Sequence, residues 1–148
     1  MSKVLEIGIA EYTGSKMLNV SSIEALAGKG LLNDRKFMND NNNKSQLTFI
    51  EIENINYVNK ILVSKIPAIN FRRNIITQGV NLNDLNGKEF FVGPVKVKAH
   101  DLCRPCKYLQ QLLNQKNLMK ELLLKGGLRC EILIDGKISI GDIIKIHD

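Results

Sequence analysis

The sequence predicts a mixed, mainly β fold: a closed or partly closed β barrel with peripheral helices. Three observations carry this. Apolar segments suited to strands dominate both ends of the chain. Only two stretches show helical spacing, one after Phe49 and one after Arg104. Strands and helices do not alternate regularly, as a doubly wound parallel sheet would require. No internal repeat, linker or composition shift marks a boundary, so residues 1–148 are expected to form a single domain.

Taken in order, Val4 to Tyr12 favours a strand. SSIEALAGKGLLNDRKF offers two short extended pieces punctuated by Gly28 and Gly30. Asn39 to Lys44 is rich in asparagine and is expected to be an exposed, mobile loop. QLTFI reads as a strand. Ile50, Ile55, Val58 and Ile61 or Leu62 then fall on one helical face. Pro67 closes that region, RRNIIT returns to a strand, and QGVNLNDLNGKEF is a Gly- and Asn-rich excursion. In FFVGPVKVKAHDL, Val95 and Val97 alternate with Lys96 and Lys98 after a Gly93-Pro94 turn, as strands with one wet face do. Leucines at 109, 112, 113, 118, 122 and 123 suit one broken helix or two short ones, with Gly126 and Gly127 as the stop signal. Asp135-Gly136, flanked by CEILI and KISI, is a hairpin signal.

A composition of 44% hydrophobic and 24% charged residues is that of a soluble globular protein, and no apolar run approaches the roughly 20 residues that span a bilayer. The first residues, interrupted by Glu6 and Glu11, do not form a secretion signal, so a cytoplasmic protein with no membrane partner is expected. The net charge of +6 suits binding of anions. Nucleic acid is not expected as a partner: aromatic residues make up only 5%, Trp is absent, and the basic residues come in small groups rather than a stripe. These groups are Arg35-Lys36, Arg72-Arg73, Lys96-Lys98, Arg104-Lys107 and Lys125-Arg129, a spacing that suits a compact anion pocket.

The stretch DLCRPCKYL poses three alternatives for Cys103 and Cys106: a redox pair, part of a zinc site, or one working thiol with a companion. A thioredoxin-like pair belongs to a βαβ pattern, whereas about a hundred mainly β residues precede this one, although the local strand-to-helix transition does match. A structural zinc site would need four ligands, and only Cys130 with His100 or His147 is at hand to complete one, so no zinc is expected. Helix physics favours the third reading. Pro105 suits the first helical position, which places Cys106 in the first turn, facing unpaired N–H groups and the positive end of the helix dipole. With Arg104 and Lys107 alongside, these would stabilise a thiolate, the form needed in a nucleophile or soft metal ligand. Cys103 then reads as an accessory thiol and Cys130 as a packing residue.

Taken together and in order, GKGLLNDR, KSQLTFIEIENI, INFRRNIITQGVNLNDLNGKEFFVG, LCRPCKYL and KGGLRCEILIDGKISIGD resemble a small stand-alone MOSC domain, the fold named for the C-terminal domain of molybdenum cofactor sulfurase. The resemblance implies a MOSC-type β barrel whose cysteine carries sulfur or coordinates molybdenum in a pterin cofactor. In relatives that reduce N-hydroxylated compounds, the metal-bound cysteine is the second of a C-x-x-C, here Cys106, and an Arg-x-Asn element touches the cofactor, here Arg72 and Asn74. The cofactor phosphate suits Arg35, Arg72 or Arg73 through charge-assisted hydrogen bonds. The chain shows neither the cysteine-desulfurase domain of some larger relatives nor an electron-transfer domain. Pyridoxal phosphate is therefore not expected here, sulfur or electrons would come from a sulfur donor or an electron-transfer protein, and a molybdoenzyme is a further partner implied. The alternatives implied are a reductase or sulfur carrier and a non-catalytic module delivering cofactor or sulfur, while the C-x-x-C residues themselves keep a thiol-disulfide protein as a further alternative.

Overall fold

In the computed structural model, residues 2–41, 45–104 and 107–146 are described. Eight strands form one large mixed sheet. In chain order its members are β1 (Lys3–Ile9), β2 (Leu18–Val20), β5 (Leu47–Glu51), β6 (Ile75–Gln78), β7 (Glu89–Val92), β8 (Val95–Leu102), β9 (Leu128–Ile134) and β11 (Ile144–Ile146). Across the sheet they run β11-β7-β8-β9-β5-β6-β1-β2, with β5 and β6 parallel and the other pairs antiparallel. Strands β3 (Ser22–Leu26), β4 (Gly30–Leu31) and β10 (Gly136–Ser139) form a second, smaller sheet. The expected mainly β fold is found, but among the described residues the strands do not close into a barrel. The large sheet's ladder order is open, although a bridge between Lys3 and Ile143 ties β1 to the approach to β11.

The two-residue period of the strands divides the core. Leu47, Phe49 and Ile75 point into the main cluster between the sheets, where the Phe49 and Phe90 rings meet edge to face at 5.5 Å. Ile50 and Ile76 point the other way, into a second cluster under the helices. Helix α1 (Ile52–Ile61) adds Ile55 and Val58 to that cluster, and α2 (Lys107–Leu112) and α3 (Leu118–Glu121) add Leu109, Leu118 and, just past α3, Leu122. Leu62 packs against it while Ile61 stays exposed, and Ile50, expected on the helical face, lies on β5 instead. The Gly93-Pro94 hairpin forms as expected, with Val92 opposite Val95 and Gly93 at φ 56°.

Three expectations are corrected. Asp135-Gly136 does not turn a hairpin, because β10 pairs with β3 in the other sheet and β9 lies between β8 and β5. Neither residue has the positive φ that the tight turn demands. The Asp135 carboxylate instead accepts the Ala27 N–H, holding the chain as it crosses between sheets. Gly126-Gly127 is not a helix stop, since α3 ends at Glu121. A Cβ on Gly127 would lie inside the Phe49 carbonyl, and one on Gly126 would be 2.8 Å from the Cys103 carbonyl oxygen, so the pair permits a close backbone approach. In the asparagine stretch, Asn39 and Asp40 are exposed but Asn41 is buried, and its amide donates to the Lys29 and Lys36 carbonyls at 2.9 and 3.0 Å. Residues 42–44 lie outside the described residues.

Candidate functional site

The site grows from a polar latch at the end of β1. Asp34 is buried, and its carboxylate accepts the Ala10 N–H at 3.0 Å and the Asn74 amide at 3.5 Å. The Arg35 N–H returns to the Ala10 carbonyl at 2.7 Å, which fixes the turn carrying Arg35 and Lys36. Asn74, also buried, accepts from the Thr48 N–H and hydroxyl and donates to the Gly8 carbonyl. These bonds commit its amide to joining β1, β5 and the start of β6. Arg72 ends a 3-10 helix (Ala68–Phe71) in the left-handed conformation, φ 63°, a costly backbone for a residue with a side chain.

These segments bring Arg35, Lys36, Arg72 and Arg73 to one pocket of about 390 Å³, completed by Thr13, Gly14 and the α2 residues Tyr108 and Leu109. Arg73 is anchored, with Nε donating to the Gly126 carbonyl at 2.9 Å. Arg35 makes only a 3.8 Å contact to the Met17 sulfur, and among the described residues the Arg72 guanidinium has no hydrogen-bond partner. Among the described residues none of the four cations forms a salt bridge. Burial and neighbouring charge both act on Arg35 and Lys36. Burial first, then the Arg72 charge, lowers Arg35 below its ordinary value. Burial and the Arg35 charge bring Lys36 down to about 8, against the opposing pull of Asp34 and Cys103.

The expected site residues are thus distributed. Arg35, Arg72 and Arg73 converge on the pocket, whereas Asn74 supports the segments that carry them and is absent from its lining. Cys103 is buried at the end of β8, its N–H donating to the Gly127 carbonyl at 2.7 Å. It lines a separate depression of about 200 Å³ while remaining within electrostatic reach of Lys36. Cys106, expected as the working thiol and molybdenum ligand, and Pro105 lie outside the described residues, as does His147. Cys130 is fully buried on β9, and burial pushes its thiol well above the usual range. The His100 ring meets Glu131 at 2.7 Å, and among the described residues no cluster of three metal-ligating side chains occurs.

Lys36, Thr13 and Tyr108 were not singled out from the sequence. Lys36 was visible only as half of a basic pair, and Tyr108 only as a neighbour of the C-x-x-C. The donor set suits a phosphate: several guanidiniums and an amine that form no salt bridge among the described residues, in a volume within the about 300–1,000 Å³ of ligand sites. Among the described residues no helix is long and apolar enough to cross a membrane.

Solved structures share this architecture. The YuaD protein of Bacillus subtilis superposes with a TM-score of 0.82 at 19% identity, covering 100% of this chain and 97% of that one. YiiM of Geobacillus stearothermophilus gives 0.79 at 15% identity over 100% and 76%, and YiiM of Escherichia coli 0.73 at 17% over 97% and 70%. At such identities the likeness establishes the fold. Curated protein sequences gave no significant match. The sequence profile of the MOSC domain matches residues 34–145, a span that opens on the Asp34 latch and takes in Arg35, Lys36, Arg72 and Arg73 together with the helices beside them; this chain belongs to the MOSC domain family.

Proposed function

We propose that this MOSC protein binds a molybdenum cofactor of the molybdopterin type, with Arg35, Lys36, Arg72 and Arg73 holding its phosphate and Cys106 providing the soft ligand for the metal. The observation that carries the reading is the convergence of four cations that lack carboxylate partners among the described residues. Gathering like charges raises the free energy of the empty pocket, and a bound dianion offsets that repulsion. Arg72 adds a guanidinium whose five donors are suited to two phosphate oxygens at once. When bound, the group would supply a redox-active metal for reducing N-hydroxylated substrates. The residues' own tasks are to neutralise the phosphate, orient it through planar Arg donors, and keep a thiolate available. The fold is read as a MOSC-type barrel in the cytoplasm, with an electron-transfer protein or sulfur donor as partner.

The test compares protein produced in cells that make the cofactor with protein from cells that cannot. Molybdenum is measured by elemental analysis, and pterin by fluorescence after oxidative release. Wild-type protein is expected to carry both in proportion to chain. Arg35→Ala with Arg72→Ala should lose both while keeping its thermal transition, and Cys106→Ser should lose metal selectively. Loaded protein that reduces an N-hydroxylated base with an added electron donor is an enzyme. Loaded protein that binds without turnover is a delivery module. Wild-type protein with neither molybdenum nor pterin would sink the proposal.

A further inference from the structure

We infer that the cation pocket is one half of a two-part site whose other half takes a nucleoside, so that the fitting ligand is a nucleoside diphosphate or a cofactor carrying one. This deepens the cofactor reading and rests on it for the anionic end. A second depression of about 390 Å³ adjoins the first and shares Arg72 and Gly14 with it. Leu112 and Leu113 at the end of α2, with Met17, supply apolar surface, and Asn70 and Lys16 supply polar groups.

Each part matches a piece of such a ligand. Arg72 faces both depressions and, among the described residues, has no hydrogen-bond partner, so its donors are available to a diphosphate spanning the junction. The Asn70 side-chain amide likewise has no partner among the described residues; its backbone N–H is used, bonding the Pro67 carbonyl at 3.0 Å. A carboxamide offers one acceptor and two donors in a plane, the pattern that reads the edge of a heteroaromatic base. Aliphatic side chains beside it give the flat face of a base a surface from which water is excluded. Lys16 adds a cation to the lining of this second depression.

Calorimetric titration of the full chain with pyrophosphate, CDP, GDP and ADP tests the inference. At least one nucleoside diphosphate is expected to bind about tenfold or more tighter than pyrophosphate. Asn70→Ala and Leu112→Ala should bring that nucleotide down to the level of pyrophosphate without changing pyrophosphate itself, and Arg72→Ala should weaken both. Leu112 is 51% exposed, so its truncation leaves the core intact. Equal affinity for pyrophosphate and all three nucleotides overturns the inference and leaves the anion pocket standing. Tight nucleotide binding indifferent to Asn70→Ala and Leu112→Ala also overturns it, by placing the nucleoside elsewhere. Failure of every probe, pyrophosphate included, removes the anion-pocket reading along with it.

Discussion

Lys36 should make anion binding pH-dependent in a way that no ordinary lysine would. Its amine titrates near 8 in the free protein because burial, and then the neighbouring Arg35 charge, disfavours the ammonium. A bound anion favours the ammonium and raises that value, so binding takes up a proton and weakens as pH rises through 8. With a free-state value of about 8, about nine-tenths of the amine is charged at pH 7 and about 3% at pH 9.5. Affinity should therefore fall by up to about 30-fold over that range. Sulfate is the suitable probe because it does not titrate there, with affinity read from NMR shifts of the Arg35 and Arg72 side chains. Calorimetry at pH 8 in buffers of different ionisation enthalpy should show uptake of about half a proton. Lys36→Met should bind weakly at pH 7 and lose the pH dependence. The sign for stability is opposite. Between about pH 8 and 10.5 the unfolded chain holds a proton that the native amine has released, so this group's contribution to stability rises with pH in that window. Lys36→Met should accordingly melt higher at pH 7, by about 1 kcal/mol or about 3 °C once partial solvation is allowed for. Equal sulfate affinity at pH 7 and 9.5 in the wild type would refute the reasoning.

Arg72→Gly relieves a left-handed backbone at φ 63° while deleting an anion donor, so denaturant unfolding should show stability unchanged or raised by about 1 kcal/mol even as sulfate binding weakens. Asn74→Ala leaves the Gly8 carbonyl and the Thr48 donors without their partner, and should cost about 2–4 kcal/mol in the same assay. Gly127→Ala forces a Cβ into the Phe49 carbonyl at φ 100° and should cost more than about 4 kcal/mol, visible as loss of soluble folded protein or a collapsed melting transition. In alkylation followed by peptide mass spectrometry, Cys130 should stay unmodified until unfolding because burial holds its thiol neutral, while Cys106 should react fastest of the three.

Features that depend on neighbours in the chain were legible from residue order alone. The Val95-Lys96-Val97-Lys98 alternation became β8 with its valines inward, because the period of two is a property of extended backbone. Ile55 and Val58 faced the core because helical spacing puts residues three apart on one side. The MOSC resemblance was likewise legible as an ordered series of local motifs, and the basic pairs at 35–36 and 72–73 were visible as charge. Tertiary structure alone decided how those pairs meet. The Asp34–Asn74 latch ties the turn that carries Arg35 to the segment that carries Arg72, and burial there, then the Arg35 charge, brings Lys36 down to about 8. It also decided that Asn74 supports the pocket, that Gly127 lies against Phe49, and that Asp135-Gly136 crosses between sheets. Each of these depends on groups distant in sequence occupying the same space. Strand partners, desolvation and the summed field of several charges arise only when the chain closes on itself, so no local pattern of residues encodes them.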